Sequence, residues 1–231
     1  MNSTKSKNPF TFCFTLATKV VHKLSAIIMP LPRKLHVCRL RKRLKNSTPT
    51  IISSDCVGSV IYHDLGLQFR SPTINLAIPG EDFLIFVQNL DAFLSAEVEE
   101  DIQAQKPYPV GKLQHNGMTV QLQFIHYVTF AQAKAKWDER RTRVDFSNLY
   151  VIQNLPQCPC AEHLQAFDSL PYKNKLLITN SNPTNSPNIV ALPIFDNPKY
   201  IPGQILFHKH LFSCKRYLED IDYVCFLNRE Q

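Results

Sequence analysis

The chain has 231 residues, of which 44% are hydrophobic, and this is enough apolar surface to bury one core. Its formal net charge of +7 is unevenly divided: residues 1–47 hold 11 Lys and Arg and no acidic residue, whereas the remainder holds 15 basic and 19 acidic residues. A net acidic domain without a stripe of basic and aromatic residues argues against nucleic-acid binding. The seven cysteines are odd in number and lack disulfide spacing, which favours a reducing cytoplasm.

The basic segment 1–43 is interpreted as separate from a single domain over residues 44–231. Lys19, His22 and Lys23 interrupt its apolar stretch before the ~20 residues that a bilayer span requires. Its cations and apolar side chains predict a segment that is mobile or lies on the anionic surface of the inner membrane, where each basic residue contributes about 1 kcal/mol. A helix docked on the domain, or an organelle transit peptide, fits the same composition.

From residue 48 onward, short apolar runs alternate with helical patterns, which predicts an α/β fold with a mainly parallel sheet and crossover helices. In chain order, the first half of this part of the sequence predicts strands at 50–53 and 72–78 with a helix or turn at 57–65 between them, then an amphipathic helix at 81–93 and a hairpin of strands 108–113 and 119–127. The second half predicts a helix at 130–143, followed by strands at 149–155 and 175–179 with a helix at 161–170 between them. An exposed loop at 180–187 comes next, and a helix followed by an apolar strand-like run is predicted over 214–228. The hairpin follows from Asn116-Gly117, the strongest short-range hairpin signal.

Five stretches of the chain are also similar in sequence to a known protein family. They are TPTIISSDCVGSVIYHDLGLQFRSPTINL at 48–76, YPVGKL at 108–113, FIHYVTFAQAKAKWDERRTRVDFSNLYVI at 124–152, LPYKNKLLIT at 170–179 and RYLEDIDYVCFLN at 216–228. From about Leu44 onward the chain resembles bacterial exopolysaccharide-biosynthesis proteins that are catalogued as a domain of unknown function. The resemblance implies a three-layer α/β/α fold and a role in capsule or lipopolysaccharide assembly. Where that family shows Asn-Asn-Cys and paired glycines, this chain keeps only Cys56 and Gly58.

The stretch after the first predicted strand is the first candidate site, since α/β sheets place ligands outside the carboxyl ends of their strands. A helix that begins directly after Cys56 would lower the pKa of its thiol through the helix dipole and make it a nucleophile. Ser53 or Ser54 could supply a hydroxyl instead, and we expect both serines and Gly58 to contact substrate. A cysteine that merely fills a small core pocket fits the same pattern.

His126 ends a predicted strand and is the candidate general base for Cys56, with Asp55 or Asp64 orienting its imidazole. A structural histidine on the core face of that strand is the alternative interpretation.

A second cluster, at the end of the predicted helix 130–143, contains Arg140, Arg141 and Arg143. Three guanidinium groups at a helix end can clamp the phosphate of a nucleotide sugar, a lipid-linked sugar phosphate or coenzyme A, or they can form a solvated face. Neither Cys158-Pro159-Cys160 nor His208-Lys209-His210 has the paired spacing of a zinc site.

The sequence thus leaves two functional hypotheses. One is a transferase that modifies a surface glycan, with Cys56 and His126 near the chemistry and acyl-coenzyme A as a conceivable donor. The other is a non-catalytic partner in a membrane-associated glycan-assembly complex. A common cleft containing Cys56, His126 and the arginines would favour the first.

Overall fold

The computed structural model describes residues 30–229. Its helices are α1 Pro30–Arg43, α2 Val57–Leu65, α3 Gly80–Gln88, α4 Leu90–Ser95, α5 Phe130–Arg141, α6 Ala161–Asp168 and α7 Tyr223–Leu227. Its strands are β1 Thr50–Ser53, β2 Glu99–Glu100, β3 Val110–His115, β4 Met118–Gln123, β5 Leu149–Asn154, β6 Asn174–Thr179 and β7 Ile189–Ala191. The predicted α/β fold is therefore confirmed.

Four of the strands form one parallel sheet in the order β1-β5-β6-β7, and the other three form a small antiparallel sheet in the order β2-β3-β4. Since all four strands of the larger sheet are parallel, their carboxyl ends meet at one edge. The predicted Asn-Gly hairpin is confirmed as the β3–β4 turn, in which Asn116 and Gly117 both adopt positive φ.

Each strand of the parallel sheet alternates between two hydrophobic cores. Ile52, Val151 and Leu177 pack on one face with α3 to α6 and the antiparallel sheet. The opposite face buries Tyr150 and Ile178, among others, against α1, α2, α7 and the segment 192–221. We call these the first face and the second face. The result is a sheet between two covering layers, as the resemblance implied.

Three sequence predictions need correction. Residues 72–78 are not a strand: Asn75 has φ 63°, which no strand tolerates, and only Ala77 forms a single bridge, to Gln123. The predicted helix 81–93 is two helices, α3 and α4, because the backbone leaves helical geometry at Asn89. The apolar run at 223–227 is helix α7, whose first turn is capped by the Asp222 carboxylate accepting from the Cys225 amide.

Helix α1 is docked on the domain, so for residues 30–43 the structure shows the docked helix that the composition left open, and not a mobile segment. Arg33 donates to Glu219 at 2.8 Å and pairs with Asp64, and both carboxylates are buried. Leu40 on the same helix belongs to the second-face core. Residues 1–29, the rest of the predicted segment, lie outside the described residues. Within 30–229 no helix is both long enough and apolar enough to cross a bilayer.

Candidate functional site

The two serines at the end of β1 hold the chain in place. Ser53 Oγ accepts from the Gly58 amide at 3.3 Å, and Ser54 Oγ accepts from the Asn154 amide at 2.9 Å, so both buried hydroxyls already have partners. A Cβ at Gly58 would lie 2.8 Å from that of Ser53, and glycine is therefore required for the close approach of α2 to β1. These contacts give all three predicted substrate-contacting residues a structural role.

Asp55 joins the ends of β1 and β5. Its Oδ1 accepts from the Val57 amide at 2.9 Å, and its Oδ2 accepts from Asn154 Nδ2 at 2.6 Å. Burial raises the pKa of this carboxyl, although the two hydrogen bonds oppose the shift. Asp55 therefore orients the first turn of α2 and the Asn154 amide, and neither of its oxygens is engaged with a histidine.

Cys56 precedes the first residue of α2, as the sequence predicts, but its surroundings disfavour the ionised thiolate form. Burial, and then the negative charge of Asp55, raise the pKa of the thiol to about 12. Both causes act against the lowering that a helix N-terminus would produce. The expected lowering of this pKa is not found.

Four buried polar atoms near the carboxyl ends of β5 and β6 have no hydrogen-bond partner among residues 30–229. They are Asn154 Oδ1, Thr179 Oγ1, Asn180 Oδ1 and the Tyr200 hydroxyl. Thr179 faces the first-face core, because side chains alternate along β6. The other three lie towards the second face, and we refer to Asp55, Asn154, Asn180 and Tyr200 together as the polar edge.

Tyr200 comes to the polar edge from the segment after β7. Its ring stacks edge-on against Phe195 with centroids 5.1 Å apart. Burial and the nearby charge of Asp55 both raise the pKa of its hydroxyl. The backbone amides of Gly203 and Ile205 oppose that shift, yet neither reaches hydrogen-bond geometry with the oxygen. The polar edge therefore combines a carboxyl, two amide oxygens and a phenol, and no cationic side chain.

The predicted dyad is not assembled by hydrogen bonding. His126 lies beyond the end of β4, in an exposed turn of the layer on the first face. No hydrogen bond joins its ring to Cys56 or Asp55 in the part of the chain that the structure describes. Among residues 30–229, His126 is therefore not hydrogen-bonded to the thiol that it was predicted to activate.

The three arginines of the predicted phosphate clamp bind the protein itself. Arg140 is buried and donates to the Tyr127 hydroxyl at 2.8 Å. Arg141 donates at 3.0 Å to backbone carbonyls at the end of α4, and Arg143 pairs with Glu139. Arg140 and Arg141 therefore hold α5 against its neighbours, and Arg143 is engaged by Glu139 and by the Phe69 carbonyl.

The sequence interpretation missed Asn154, Asn180 and Tyr200. A signal existed for the asparagines, since the two buried runs LYVIQN and KLLITN each end in one. Tyr200 had none, because it stands in an irregular segment remote from either strand in sequence. No group of three or more His, Cys, Asp or Glu that could hold a metal ion is found among residues 30–229.

Comparisons with known proteins find one family model and one relative that each match most of the chain. The family profile described as "Domain of unknown function (DUF1919)" matches residues 29–228, a range that includes all of α1. An uncharacterized protein of Haemophilus influenzae is 33% identical in a 196-residue alignment, which covers 82% of this chain and 88% of that relative. Neither description mentions exopolysaccharide.

Proposed function

The chain belongs to the DUF1919 family, and we propose that it binds a sugar of a surface-polysaccharide precursor at the polar edge. The observation that carries the proposal is the set of buried oxygens without partners on Asn154, Asn180 and Tyr200. A buried polar group left unpaired costs about 1–3 kcal/mol, so a ligand that hydrogen-bonds to all three recovers a sizeable free energy.

The chemistry of these atoms selects a hydroxyl-rich ligand over a phosphate. The amide oxygens of Asn154 and Asn180 can only accept hydrogen bonds, and a sugar hydroxyl can donate one to each. A phosphate offers acceptors alone and would be repelled by the Asp55 carboxylate. The sugar ring of a nucleotide- or lipid-linked precursor therefore fits the polar edge better than its phosphates do.

The resemblance of residues 44–228 to exopolysaccharide-biosynthesis proteins supports capsule, exopolysaccharide or lipopolysaccharide synthesis as the pathway. For acyl transfer to a sugar hydroxyl, Asp55 is a better candidate base than His126, because burial raises its pKa and it adjoins the unpartnered oxygens. Acyl-coenzyme A is the donor that such a transferase would use. A non-catalytic partner in a glycan-assembly complex needs only the binding step. Release of free coenzyme A from acyl-coenzyme A in the presence of the sugar is therefore expected of the transferase and not of the non-catalytic partner.

Tyr200→Phe is the sharpest test of the binding step, because it removes the phenol oxygen and keeps the ring. Titration calorimetry with UDP-glucose and UDP-N-acetylglucosamine should show binding of at least one of them, weakened about three- to ten-fold in the variant. The thermal stability of Tyr200→Phe should stay unchanged or rise, since the lost hydroxyl has no partner in residues 30–229.

Tyr150→Phe is the matched control, at the opposite end of the same sheet. Its hydroxyl donates to the Leu227 carbonyl at 2.9 Å and accepts from Asn46 Nδ2 at 3.0 Å. This variant should lose about 1 kcal/mol of stability and bind the nucleotide sugar like the wild type. Equal binding by wild type and Tyr200→Phe, or no binding of either sugar, would contradict the proposal.

A further inference from the structure

A second surface, formed by helix α1 and residues 207–217, combines exposed apolar side chains with cations. Residues 207–217 form a hairpin in which the Tyr217 amide donates to the Phe207 carbonyl and the Lys209 amide donates to the Lys215 carbonyl, both within 3.1 Å. Leu211 and Phe212 stand at its tip and are exposed, Phe212 by 56%. An apolar tip exposed on a hairpin indicates a contact that the isolated chain does not satisfy.

Helix α1 extends the same surface. Arg33 donates to the Cys214 carbonyl at 2.9 Å and so fixes the first turns of the helix against the hairpin. The outer side of α1 exposes Leu31 and Leu35, by 65% and 53%. Exposed apolar side chains therefore occur on two elements that contact one another.

The charge of this surface is positive throughout. The stretches 30–43 and 199–216 contain ten Lys and Arg and no acidic residue. The acidic groups that face them from neighbouring elements are already paired: Asp64 and Glu219 with Arg33, Asp220 with Lys209, and Asp222 with Arg43. Six cations have no acidic partner among residues 30–229. Arg41 is one of them and donates to the backbone carbonyl of Asp64, and the other five are Lys34, Arg39, Lys42, Lys199 and Lys215.

We propose that the outer side of α1 and the 207–217 hairpin together bind an anionic phospholipid bilayer, with Leu211 and Phe212 inserted at the interface and the unpaired lysines beside the headgroups. In such a bilayer the anionic headgroups attract the cations, and the acyl chains beneath them accommodate the apolar tip. A soluble partner of negative charge would contact the cations alone. The sequence had placed membrane contact in residues 1–43. The structure assigns part of it to the far end of the chain.

The test is co-sedimentation of the full chain with vesicles of phosphatidylcholine, alone or mixed with phosphatidylglycerol. Binding should require phosphatidylglycerol and weaken as salt is raised. The tip variant Leu211→Ser/Phe212→Ser should bind at least about ten-fold more weakly. Its control, Ile102→Ser/Val128→Ser, changes two side chains that are more exposed but lie in the layer on the first face, and it should bind normally.

A charge variant, Lys34→Gln/Lys215→Gln, should weaken binding roughly five-fold for each lysine. Its control, Lys106→Gln/Lys173→Gln, removes two exposed lysines outside the surface and should have no such effect. Melting curves for all four variants check that they are folded. Unchanged binding by the tip variant would overturn the inference, whether or not the lysines matter, and so would a tip variant that alters only self-association in sedimentation velocity.

Discussion

Cys56 shows how the surroundings of one side chain can reverse what its position in the sequence suggests. A thiol at the start of a helix is expected to ionise easily. Here burial and Asp55 raise its pKa from 9.0 to about 12, which lowers the thiolate fraction near neutral pH by roughly three orders of magnitude. Because the thiolate is the nucleophile, Cys56 should react slowly.

Alkylation with iodoacetamide, followed residue by residue by mass spectrometry, measures this directly. We expect Cys56 to be modified far more slowly than the exposed Cys158 at the same pH. Asp55→Asn removes one of the two causes and should speed the reaction of Cys56 while leaving that of Cys158 unchanged. Modification of wild-type Cys56 at the rate of Cys158 would revive its role as a nucleophile.

Among the secondary structure elements, α1 depends most on partners that are distant in sequence. Arg33 pairs with Asp64 and with Glu219, which lie 31 and 186 residues away. The composition of the helix, six basic residues and no acid, gives no hint of these partners. Docking of α1 is therefore a tertiary event, in which two buried carboxylates supply the counter-charge.

Arg33→Met should destabilise the protein by about 3–5 kcal/mol, because it leaves Asp64 and Glu219 buried without their main partner. Arg39→Met on the exposed side of the same helix makes the same chemical change and should cost no more than about 0.5 kcal/mol. Urea denaturation of the two variants measures the difference. Equal, small losses would mean that α1 is docked only loosely.

The elements that could be predicted are those specified by neighbouring residues. The Asn116-Gly117 turn needs only its own backbone preferences, and the Ala- and charge-rich stretch of α5 needs only its helix propensity. Residues 72–78 have a strand-like composition, but the hydroxyls of Ser71 and Thr73 form a hydrogen bond with one another. The Thr73 hydroxyl also accepts a hydrogen bond from the Ser53 amide. Side chains of the loop thus satisfy groups that a neighbouring strand would otherwise pair.

The candidate site was predictable only in part, for the same reason. The first parallel strand and the polar turn after it predict a site at the carboxyl edge of the sheet, and Asp55 lies at that edge. Which side chains come together there depends on the strand order, since β5, which ends in Asn154, lies next to β1, and β6, which is followed by Asn180, lies next to β5. Tyr200 arrives through a segment with no regular structure, and no periodicity in the sequence marks it.

At the scale of the whole molecule, the parallel sheet ties its two covering layers together. Within β5, Val151 packs on the first face and Tyr150 and Ile152 pack on the second, and β1 and β6 alternate in the same way. Loss of either layer would expose half of the side chains of every central strand to water. The two cores should therefore unfold in a single cooperative transition.

The sole tryptophan makes this testable, because Trp137 is buried in the first-face core. In wild-type protein the urea midpoint from tryptophan fluorescence should coincide with that from far-UV circular dichroism. The double variant Trp137→Phe/Phe226→Trp moves the probe to the second-face core, where Phe226 packs against Tyr150 with ring centroids 5.4 Å apart. Its overall stability will change, but its two midpoints should again coincide, since the comparison is made within one variant. If the urea midpoint from fluorescence is lower or higher than that from circular dichroism in either protein, the layer that holds the tryptophan unfolds separately. The sheet would then not couple the two cores.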